Sequence, residues 1–363
     1  MSYTNRKKLY KEISKKRGRS LIAYVTSIRP NMGGNMAGDA ISQIIEQIAK
    51  VPKTETNIDF LIISNGGDPI TALRIIGLLR ERFEHISVLL PYVAYSAATI
   101  LSLGADEIVM HPFSNLGPVD PQLTVSRKNG QGIPEQLRFS SEDLRNFIDF
   151  IKTDVGISDQ QHLISAISPL LKDVGSLPIG SAKRSQQLSL TLSEKMLCTH
   201  IEDKNKAKSI AKALNSSYYH HGYAVSRQEA LDIGLNIVKP EADLEKLLWK
   251  VWIDFSNEMK CDSSFDMIKE LMNNPQAYQA ISQVPIVNLP INTPPQAAQQ
   301  IIINQAQNTP VTTRSSIKIK ELIASIESTY LSKSVYTDID ILYWRNADMS
   351  LGANCTTTAT DWV

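Results

Sequence analysis

The sequence lacks the features that would assign it to several large classes of protein. Its 363 residues include only three cysteines, Cys198, Cys261 and Cys355, which lie far apart and form no CxxC pair. An odd number of widely spaced cysteines favours a reducing compartment over a disulfide framework or a zinc site. No apolar run reaches the roughly 20 residues needed to cross a bilayer. The GxGxxG and Walker lysine loops are also absent, so we expect no cofactor and no metal.

The numbers of positive and negative side chains in the whole sequence are nearly equal. With 38 basic and 37 acidic residues, the formal net charge is +1, and no overall field favours nucleic acid or a membrane as a partner. The first twenty residues hold eight Lys/Arg and one acid, Glu12, which is typical of a solvated helix or a frayed terminus. The following run, Leu21–Ile28, is short and β-branched, and it predicts a strand rather than a signal peptide. We therefore expect a cytoplasmic protein without stable membrane insertion.

Composition changes sharply near the end of the chain. From Leu271 to Thr313 there is no charged residue, and several prolines interrupt the segment. This composition predicts a linker or an extended, poorly regular segment. The predicted divisions are a basic N-terminal helix or arm (1–20), a catalytic domain (21–240) with a helical insertion (about 141–214), a helical extension (241–273), the uncharged linker (274–313) and a small C-terminal segment (314–363).

Apolar patterns alternate between strand and helix in the first third of the chain. Predicted strands lie at Leu21–Ile28, Ile58–Ile63, His85–Val93 and Glu107–Met110, and predicted helices at Asp39–Val51, Pro69–Arg82 and Ser96–Gly104. This alternation predicts an α/β parallel sheet with functional turns at the carboxyl ends of its strands. Farther along, we predict helices over 141–172, 183–214, 227–233, 241–259, 263–273 and 316–326, a strand beginning at 218, further strands over 328–336 and 339–344, and a loose tail from 356.

Two short turns carry the chemistry. The first is Ser64-Asn65-Gly66-Gly67-Asp68-Pro69, and the second is Ala94-Tyr95-Ser96-Ala97-Ala98-Thr99. A Gly-Gly turn frees backbone N–H groups to point at a ligand, and a serine on a neighbouring turn could attack a carbonyl that they hold. We predict Ser96 as the nucleophile and the N–H groups of Gly67 and Ala97 as oxyanion donors. The alternatives are a helix-capping serine and an ordinary Gly-Gly turn.

Several segments of the chain carry a resemblance to a known family. They are Ser64–Asp68, Val93–Thr99, Ala105–Met110, Leu116–Gln122, and Val225–Ala230 with Gly234-Leu235. Over roughly residues 15–240 the sequence resembles the Clp-protease/crotonase superfold and, within it, the serine dehydrogenase proteinase family. The run Leu116–Gln122 is the most specific of these matches, whereas Asn65 departs from the proline usual in Clp-like sequences. The resemblance implies an α/β fold of repeated β-β-α units with a helical insertion and a C-terminal appendage.

The identity of the general base stays open between several residues. Clp proteases have a histidine after the nucleophile and an aspartate before a later helix, and here the residue types at those two places are exchanged. We therefore predict His221 as the base and Asp120 as the residue that orients it, since a triad is defined by geometry rather than chain order. The alternative is that Asp120 caps a turn and that His220 and His221 pack at a strand edge. Rival bases are Lys183, as in Ser-Lys relatives, and His111.

The resemblance implies a serine peptidase that acts on peptides or proteins. It also implies a homo-oligomer whose ring encloses the active sites. Any ATP dependence would have to come from a partner protein such as an unfoldase, which the sequence does not identify. Two other functions remain open on the same fold. One is a crotonase-like acyl-CoA enzyme, in which the two N–H groups hold a thioester enolate. The other is an inert scaffold whose C-terminal appendage binds a partner.

Overall fold

A computed structural model describes residues 3–128, 131–216, 218, 220, 222–283, 287–308, 310–311 and 313–363. The chain divides into two compact units, which are described separately. The first comprises Met1–Thr26, Asn35–Phe255 and Ile326–Ser332, and the second comprises Ser27–Gly34, Ser256–Ser325 and Lys333–Val363. Within the described residues, no helix has both the length and the apolar character that a membrane span requires.

A parallel sheet forms the centre of the first unit. Its strands, in spatial order, are β1 (Ser20–Thr26), β2 (Asn57–Ile63), β3 (His85–Leu90), β5 (Glu107–Met110) and β9 (Ile237–Val238). Every neighbouring pair runs parallel. The α/β prediction is therefore confirmed. Two further strands of this unit are β4 (Val93–Ala94) and β6 (Asn115–Leu116). β4 and β6 pair in parallel as a separate two-stranded sheet.

The first four helices, one before β1 and three between the strands, lie close to their predicted positions. They are α1 (Tyr3–Arg17), α2 (Ala40–Lys50), α3 (Pro69–Arg82) and α4 (Ala97–Ser102). Asp68 begins α3, because its carboxylate accepts the Ile70 N–H at 3.0 Å and Pro69 suits the first helical position. Every residue of α4 is buried, as its largely apolar sequence predicts.

The basic N-terminal helix is docked, which corrects the prediction of a solvated or frayed arm. Arg6 is 2% exposed, and its guanidinium contacts Asp254 and Glu327, both at 2.7 Å. Arg17 contacts Asp59 at 2.9 Å and Glu107 at 2.7 Å. Since a buried charge is stable only when it is paired, these carboxylates explain why the helix lies against the protein.

A hairpin and four helices follow β6 in the chain. The hairpin, which the sequence patterns did not reveal, pairs β7 (Gln122–Lys128) with β8 (Pro134–Ser140) in antiparallel orientation. The two helices predicted over 141–172 and 183–214 are four, because Asp159 begins a new helix by accepting the His162 N–H and Gly175 ends it at a φ of 89°. They are α5 (Ser141–Thr153), α6 (Gln160–Val174), α7 (Ser176–Leu197) and α8 (Lys204–Ser216).

The segment after α8 returns the chain to the first sheet. The described residues between 218 and 226 form no strand, contrary to prediction, and Val225 makes only an isolated antiparallel bridge to Leu116. Helix α9 (Arg227–Asp232) follows, with a reciprocal cap between Ser226 and Glu229. Helix α10 spans Ala242–Glu258.

The second unit differs most from the sequence-based expectation. The predicted linker over 274–313 contains two helices, and Ala277 and Ile281 of the first lie in the hydrophobic core of this unit. Ala277 and Ile281 are four positions apart, so they lie on the same face of the helix and bury it. The lack of charge in the segment therefore did not indicate a linker. The last three helices in the chain are α11 (Met267–Asn273), α12 (Pro275–Ile281) and α13 (Pro295–Asn308).

Three long strands complete the chain: β10 (Ser315–Ser328), β11 (Ser332–Arg345) and β12 (Leu351–Ala359). The helix predicted over 316–326 is wrong, because Ile317 and Ile319 alternate with Lys318 and Lys320 in the two-residue period of a strand. The loose tail predicted from 356 is also wrong. Residues 356–359 lie in β12, which pairs antiparallel with β11, and Val363 exchanges backbone hydrogen bonds with Ser334.

Candidate active site

The turn that holds Ser96 has an unusual backbone. β4 ends at Ala94, α4 begins at Ala97, and Ser96 between them has φ 53° and ψ −119°. A non-glycine residue at positive φ costs roughly 1–3 kcal/mol and concentrates at functional sites. The Ser96 side chain makes no capping bond to α4, and a capping serine has extended backbone angles. The helix-cap alternative therefore does not describe Ser96.

The glycine turn lies directly against the Ser96 turn. Gly66 and Gly67 have φ of 102° and 148°. A Cβ atom at Gly66 would lie 2.6 Å from the Tyr95 carbonyl oxygen and 2.9 Å from the Ser96 Cβ, and one at Gly67 would overlap the backbone of Met36. Both positions therefore require glycine, and the structure brings the two predicted turns together.

Backbone hydrogen bonds fix the two turns to each other. The Ser64 N–H donates to the Val93 carbonyl at 3.0 Å, and the Tyr95 N–H donates to the Ser64 carbonyl at 2.9 Å. Met36 holds the other side of the glycine turn, because its N–H donates to the Gly66 carbonyl and its carbonyl accepts the Asp68 N–H, both at 2.8 Å. Sequence reasoning missed Met36, which lies in a segment without helical or strand periodicity.

Two backbone N–H groups at this junction have no acceptor among the described residues. The Gly66 N–H donates to the Ser64 hydroxyl at 3.0 Å, whereas in the part of the chain that the structure describes neither the Gly67 N–H nor the Ala97 N–H donates to any group. Gly67 is exposed and Ser96 is half-buried. Unpaired donors next to a hydroxyl are the arrangement that can hold a carbonyl oxygen as it gains negative charge.

The run Leu116–Gln122 begins against the Ser96 turn. The Thr99 hydroxyl, in α4, lies 2.7 Å from the Ala94 carbonyl oxygen and 2.9 Å from that of Gly117. A Cβ atom at Gly117 would lie 2.5 Å from the Tyr95 ring. The glycine of this run is therefore required by close packing on the residue that precedes Ser96.

Asp120 lies at a polar cavity of about 650 Å³. It is 8% exposed, and its carboxylate accepts a hydrogen bond from the Gln122 amide at 3.1 Å. The same cavity is lined by His220, which is exposed and accepts the Gly222 N–H on Nδ1 at 3.0 Å. His221, the predicted base, lies outside the described residues. Ser96 is not among the described residues that line the cavity.

Lys183 lies in a different environment from the one its predicted role requires. It is exposed on α7, with its ammonium group 3.5 Å from the Gln186 side-chain oxygen. A lysine base acts when burial disfavours its charged form. Lys183 has no such burial in this chain.

His111 lies in an aromatic cluster. It is 5% exposed, its ring stacks on Trp249 with the centroids 5.0 Å apart, and Phe113 meets it edge-on. Its Nδ1 accepts the Phe113 N–H at 3.1 Å. Burial lowers the pKa of His111, while Glu245 raises it and Arg227 lowers it further. The ring is therefore held neutral, with one of its two nitrogens already engaged.

The described residues contain no group of three or more His, Cys, Asp or Glu side chains placed to hold a metal ion.

Tyr95, the residue before Ser96, has a shifted pKa. Burial raises the pKa of the Tyr95 phenol, with a smaller contribution from Tyr92. Tyr95 is therefore a neutral side chain beside Ser96.

Comparison with known proteins gives the following relatives. Residues 2–133 match the model of a family described as ClpP-like SDH-type serine proteinase. The uncharacterised protein MJ0137 of Methanocaldococcus jannaschii is 26% identical over 195 residues, which is 54% of this chain and 58% of that protein. A second uncharacterised protein of that organism, MJ1495, is 25% identical over 198 residues, covering 54% and 56%. The chain thus matches little more than half the length of these curated relatives.

Among solved structures, a serine-to-alanine mutant of the 1510-N membrane-bound stomatin-specific protease aligns with a TM-score of 0.35 and 15% identity. The alignment covers 63% of this chain and 84% of that one. The parallel sheet and its helices are consistent with a ClpP-like fold. Residues 2–133, which hold both turns, are similar to the ClpP-like SDH-type serine proteinases, and this confirms the family resemblance that the motifs indicated.

Proposed function

We propose that this chain is a serine peptidase that hydrolyses peptide bonds through an acyl-enzyme on Ser96. The observation that carries the proposal is the Ser96 turn itself. Its backbone is held at a positive φ, its hydroxyl caps nothing, and the glycine turn packs against it. A strained serine at a strand-to-helix turn is a recurrent way of exposing a nucleophilic hydroxyl.

In the proposed mechanism, the Ser96 oxygen attacks the peptide carbonyl carbon, and its proton passes to a general base. The N–H groups of Gly67 and Ala97 bind the oxyanion that forms. The base then gives the proton to the leaving amine as the C–N bond breaks, which leaves an ester on Ser96. Water attacks this ester with the help of the same base and releases the carboxylic acid and the free serine.

For the base we propose His221, oriented by Asp120. Support comes from the position of Asp120, which is nearly buried and lines the same cavity as His220, the residue before His221. The exposure of Lys183 and the engaged Nδ1 of His111 weaken both rivals. We further propose peptides or proteins as substrates and a homo-oligomer as the active form.

The proposal is tested by labelling with a fluorophosphonate, which reacts only with an activated serine. We expect the native chain to be labelled, Ser96→Ala to lose all labelling, and His221→Ala to lose at least about 100-fold in labelling rate. Ser42→Ala changes an exposed serine of α2 whose hydroxyl donates to the Asp39 carbonyl and accepts from the Gln43 amide, and it should behave as the native chain.

Absence of labelling in a folded, fully assembled native chain would contradict the peptidase proposal. A crotonase-like enzyme would use the same two N–H groups without a nucleophilic serine, so Ser96→Ala would then leave its thioester chemistry intact. An inert scaffold would show neither labelling nor thioester turnover. The three functions therefore give three different patterns.

A further inference from the structure

A buried hydroxyl joins the Ser96 turn to the part of the chain that leads to Asp120. It belongs to Thr99, which lies in α4 and is fully buried. The hydroxyl oxygen lies 2.7 Å from the Ala94 carbonyl oxygen and 2.9 Å from the Gly117 carbonyl oxygen, and it accepts the Gly117 N–H at 3.2 Å. Ala94 ends the strand before Ser96, and Gly117 lies shortly before Asp120. One side chain therefore contacts both halves of the proposed site.

The bond to Gly117 is the one for which the hydroxyl is needed. A threonine hydroxyl has one hydrogen to donate, and here two carbonyl oxygens lie within its reach. The Ala94 carbonyl also accepts the Gly117 N–H at 2.9 Å. Among the described residues, by contrast, the Gly117 carbonyl accepts only from Thr99. Because Gly117 is buried, loss of the hydroxyl would leave this carbonyl without a partner and away from water.

Residues 117–120, called here the Asp120 segment, are held along their whole length. All four are buried, and the ring of the proline among them fixes its φ. The Val119 N–H donates to the Leu214 carbonyl at 3.0 Å, and the Val119 carbonyl accepts the Ser189 hydroxyl at 2.5 Å. The segment is therefore rigid, and a shift at its start would displace the Asp120 carboxylate at its end.

We propose that Thr99 is a positioning residue, whose hydroxyl fixes the Asp120 segment relative to the Ser96 turn. The catalytic consequence rests on the proposed function, in which Ser96 attacks the substrate and Asp120 orients the base. Since Thr99 is fully buried, it acts by keeping these two groups at one separation. A misplacement of about 1 Å between reacting groups can lower a rate about 100-fold.

A second hydroxyl of α4 provides the matched control. Ser102 is also fully buried, and its hydroxyl donates to the Ala98 carbonyl at 2.8 Å. This is the usual bond of a helical serine to the carbonyl four positions earlier, and it stays within α4. The Thr99 hydroxyl instead reaches a carbonyl 18 positions later in the chain. Removing each hydroxyl in turn separates the loss of a buried bond from the loss of the link to the Asp120 segment.

The test compares variants that differ by one oxygen atom. Thr99→Ala and Thr99→Ser both lose the methyl group, but only the serine keeps the hydroxyl. We expect the fluorophosphonate labelling rate to fall about 10- to 100-fold in Thr99→Ala and to stay near the native rate in Thr99→Ser and in Ser102→Ala. Thr99→Val, which keeps the side-chain volume, replaces Thr99→Ala if that variant does not fold. A folded variant that lacks the hydroxyl and is labelled at the native rate would overturn the proposal.

The combination of Thr99→Ala with Asp120→Asn tests whether Thr99 acts through Asp120. Once residue 120 no longer orients the base, its position matters less, so the added loss of the Thr99 hydroxyl should change the labelling rate much less than it does alone. If Thr99 acted only through general stability, the two losses would multiply. Multiplied losses would therefore overturn the proposal.

Amide hydrogen exchange separates this inference from the peptidase proposal. In Thr99→Ala, the amides of the Asp120 segment should exchange faster than in the native chain, by a larger factor than the amides of β2. Ser102→Ala should show no such excess. An excess in a chain that fluorophosphonate does not label would contradict the peptidase proposal and support the Thr99 link. Without the excess, the Thr99 link would be overturned even in a chain that is labelled.

Discussion

The Ser96 turn and the Asp120 cavity are built in different ways. At the Ser96 turn, backbone atoms set the geometry, through bonds between the Ser64 and Val93–Tyr95 segments and through glycines that admit no side chain. At the cavity, side chains from the hairpin, α5 and the segment around His220 surround Asp120. The first region is specified by short stretches of chain, and the second by residues about 100 positions apart.

The difference shows which half of the proposed catalytic site can vary in sequence. A backbone-built oxyanion site tolerates few substitutions, because almost any added atom displaces it. A base supplied by a side chain can be replaced by another residue type that reaches the same place. This fits the exchange of histidine and aspartate positions relative to Clp proteases on which the proposal for His221 and Asp120 rests. Three experiments test the comparison, beginning with the largest expected effect.

Asp120→Asn tests whether the cavity holds a catalytic group. If Asp120 orients the base, the neutral amide holds the imidazole in the wrong tautomer, and the fluorophosphonate labelling rate should fall by roughly 10³–10⁴. The matched control is Asp149→Asn, which removes a charge from the same cavity but from a carboxylate paired with Arg145. Equal rates for the two variants would break the assignment of Asp120.

Gly66→Ala tests the rigidity of the backbone-built half. The added methyl would meet the Tyr95 carbonyl and the Ser96 Cβ, so we expect about a 100-fold lower labelling rate and a loss of about 1–3 kcal/mol in the free energy of unfolding. Gly77→Ala is the control, since its Cβ would meet nothing in α3, and it should stabilise the chain by about 0.5–1 kcal/mol. An unchanged labelling rate in Gly66→Ala would show that the turn adapts.

His111→Asn has the smallest expected effect and separates a rival base from a structural residue. Because burial lowers the pKa of folded His111, the unfolded chain binds more protons near pH 6, and acidification through the ordinary histidine range destabilises the native state. Asparagine removes this titration, so urea unfolding should show a weaker loss of stability between about pH 7.5 and pH 5.5. A large loss of labelling at neutral pH would instead identify His111 as the base.

Local signals allowed most of the first sheet to be predicted. Helix α3 has the predicted bounds, Pro69–Arg82, because its capping aspartate and first-turn proline lie next to each other in sequence. The proximity of the two turns followed from their places after parallel strands. The part played by Met36 could not be predicted, because it depends on a backbone contact with Gly66 and Gly67 and not on any feature of its own side chain.

Predictions failed where tertiary contacts decide the outcome. Segment 316–326 contains good helix formers, yet the alternation of Ile317 and Ile319 with lysines and the pairing with neighbouring strands select β10. The uncharged segment after Leu271 was predicted as a linker from composition, but Ala277 and Ile281 of α12 fill the core of the second unit. The composition of a segment indicates its charge and solubility. It does not show whether two or three apolar residues are spaced so that a helix can pack into a core.

The ion pair between Arg6 and Glu327 joins two residues that the ribosome makes at very different times. The guanidinium contacts Glu327, which lies 321 positions later in the chain, and the first unit includes residues Ile326–Ser332. During translation Arg6 cannot be neutralised by this carboxylate until the ribosome has added the 321 residues that lead from Arg6 to Glu327. Helix α1 is thus made well before the strand that carries Glu327, and Arg6 lacks this partner until that strand has been made.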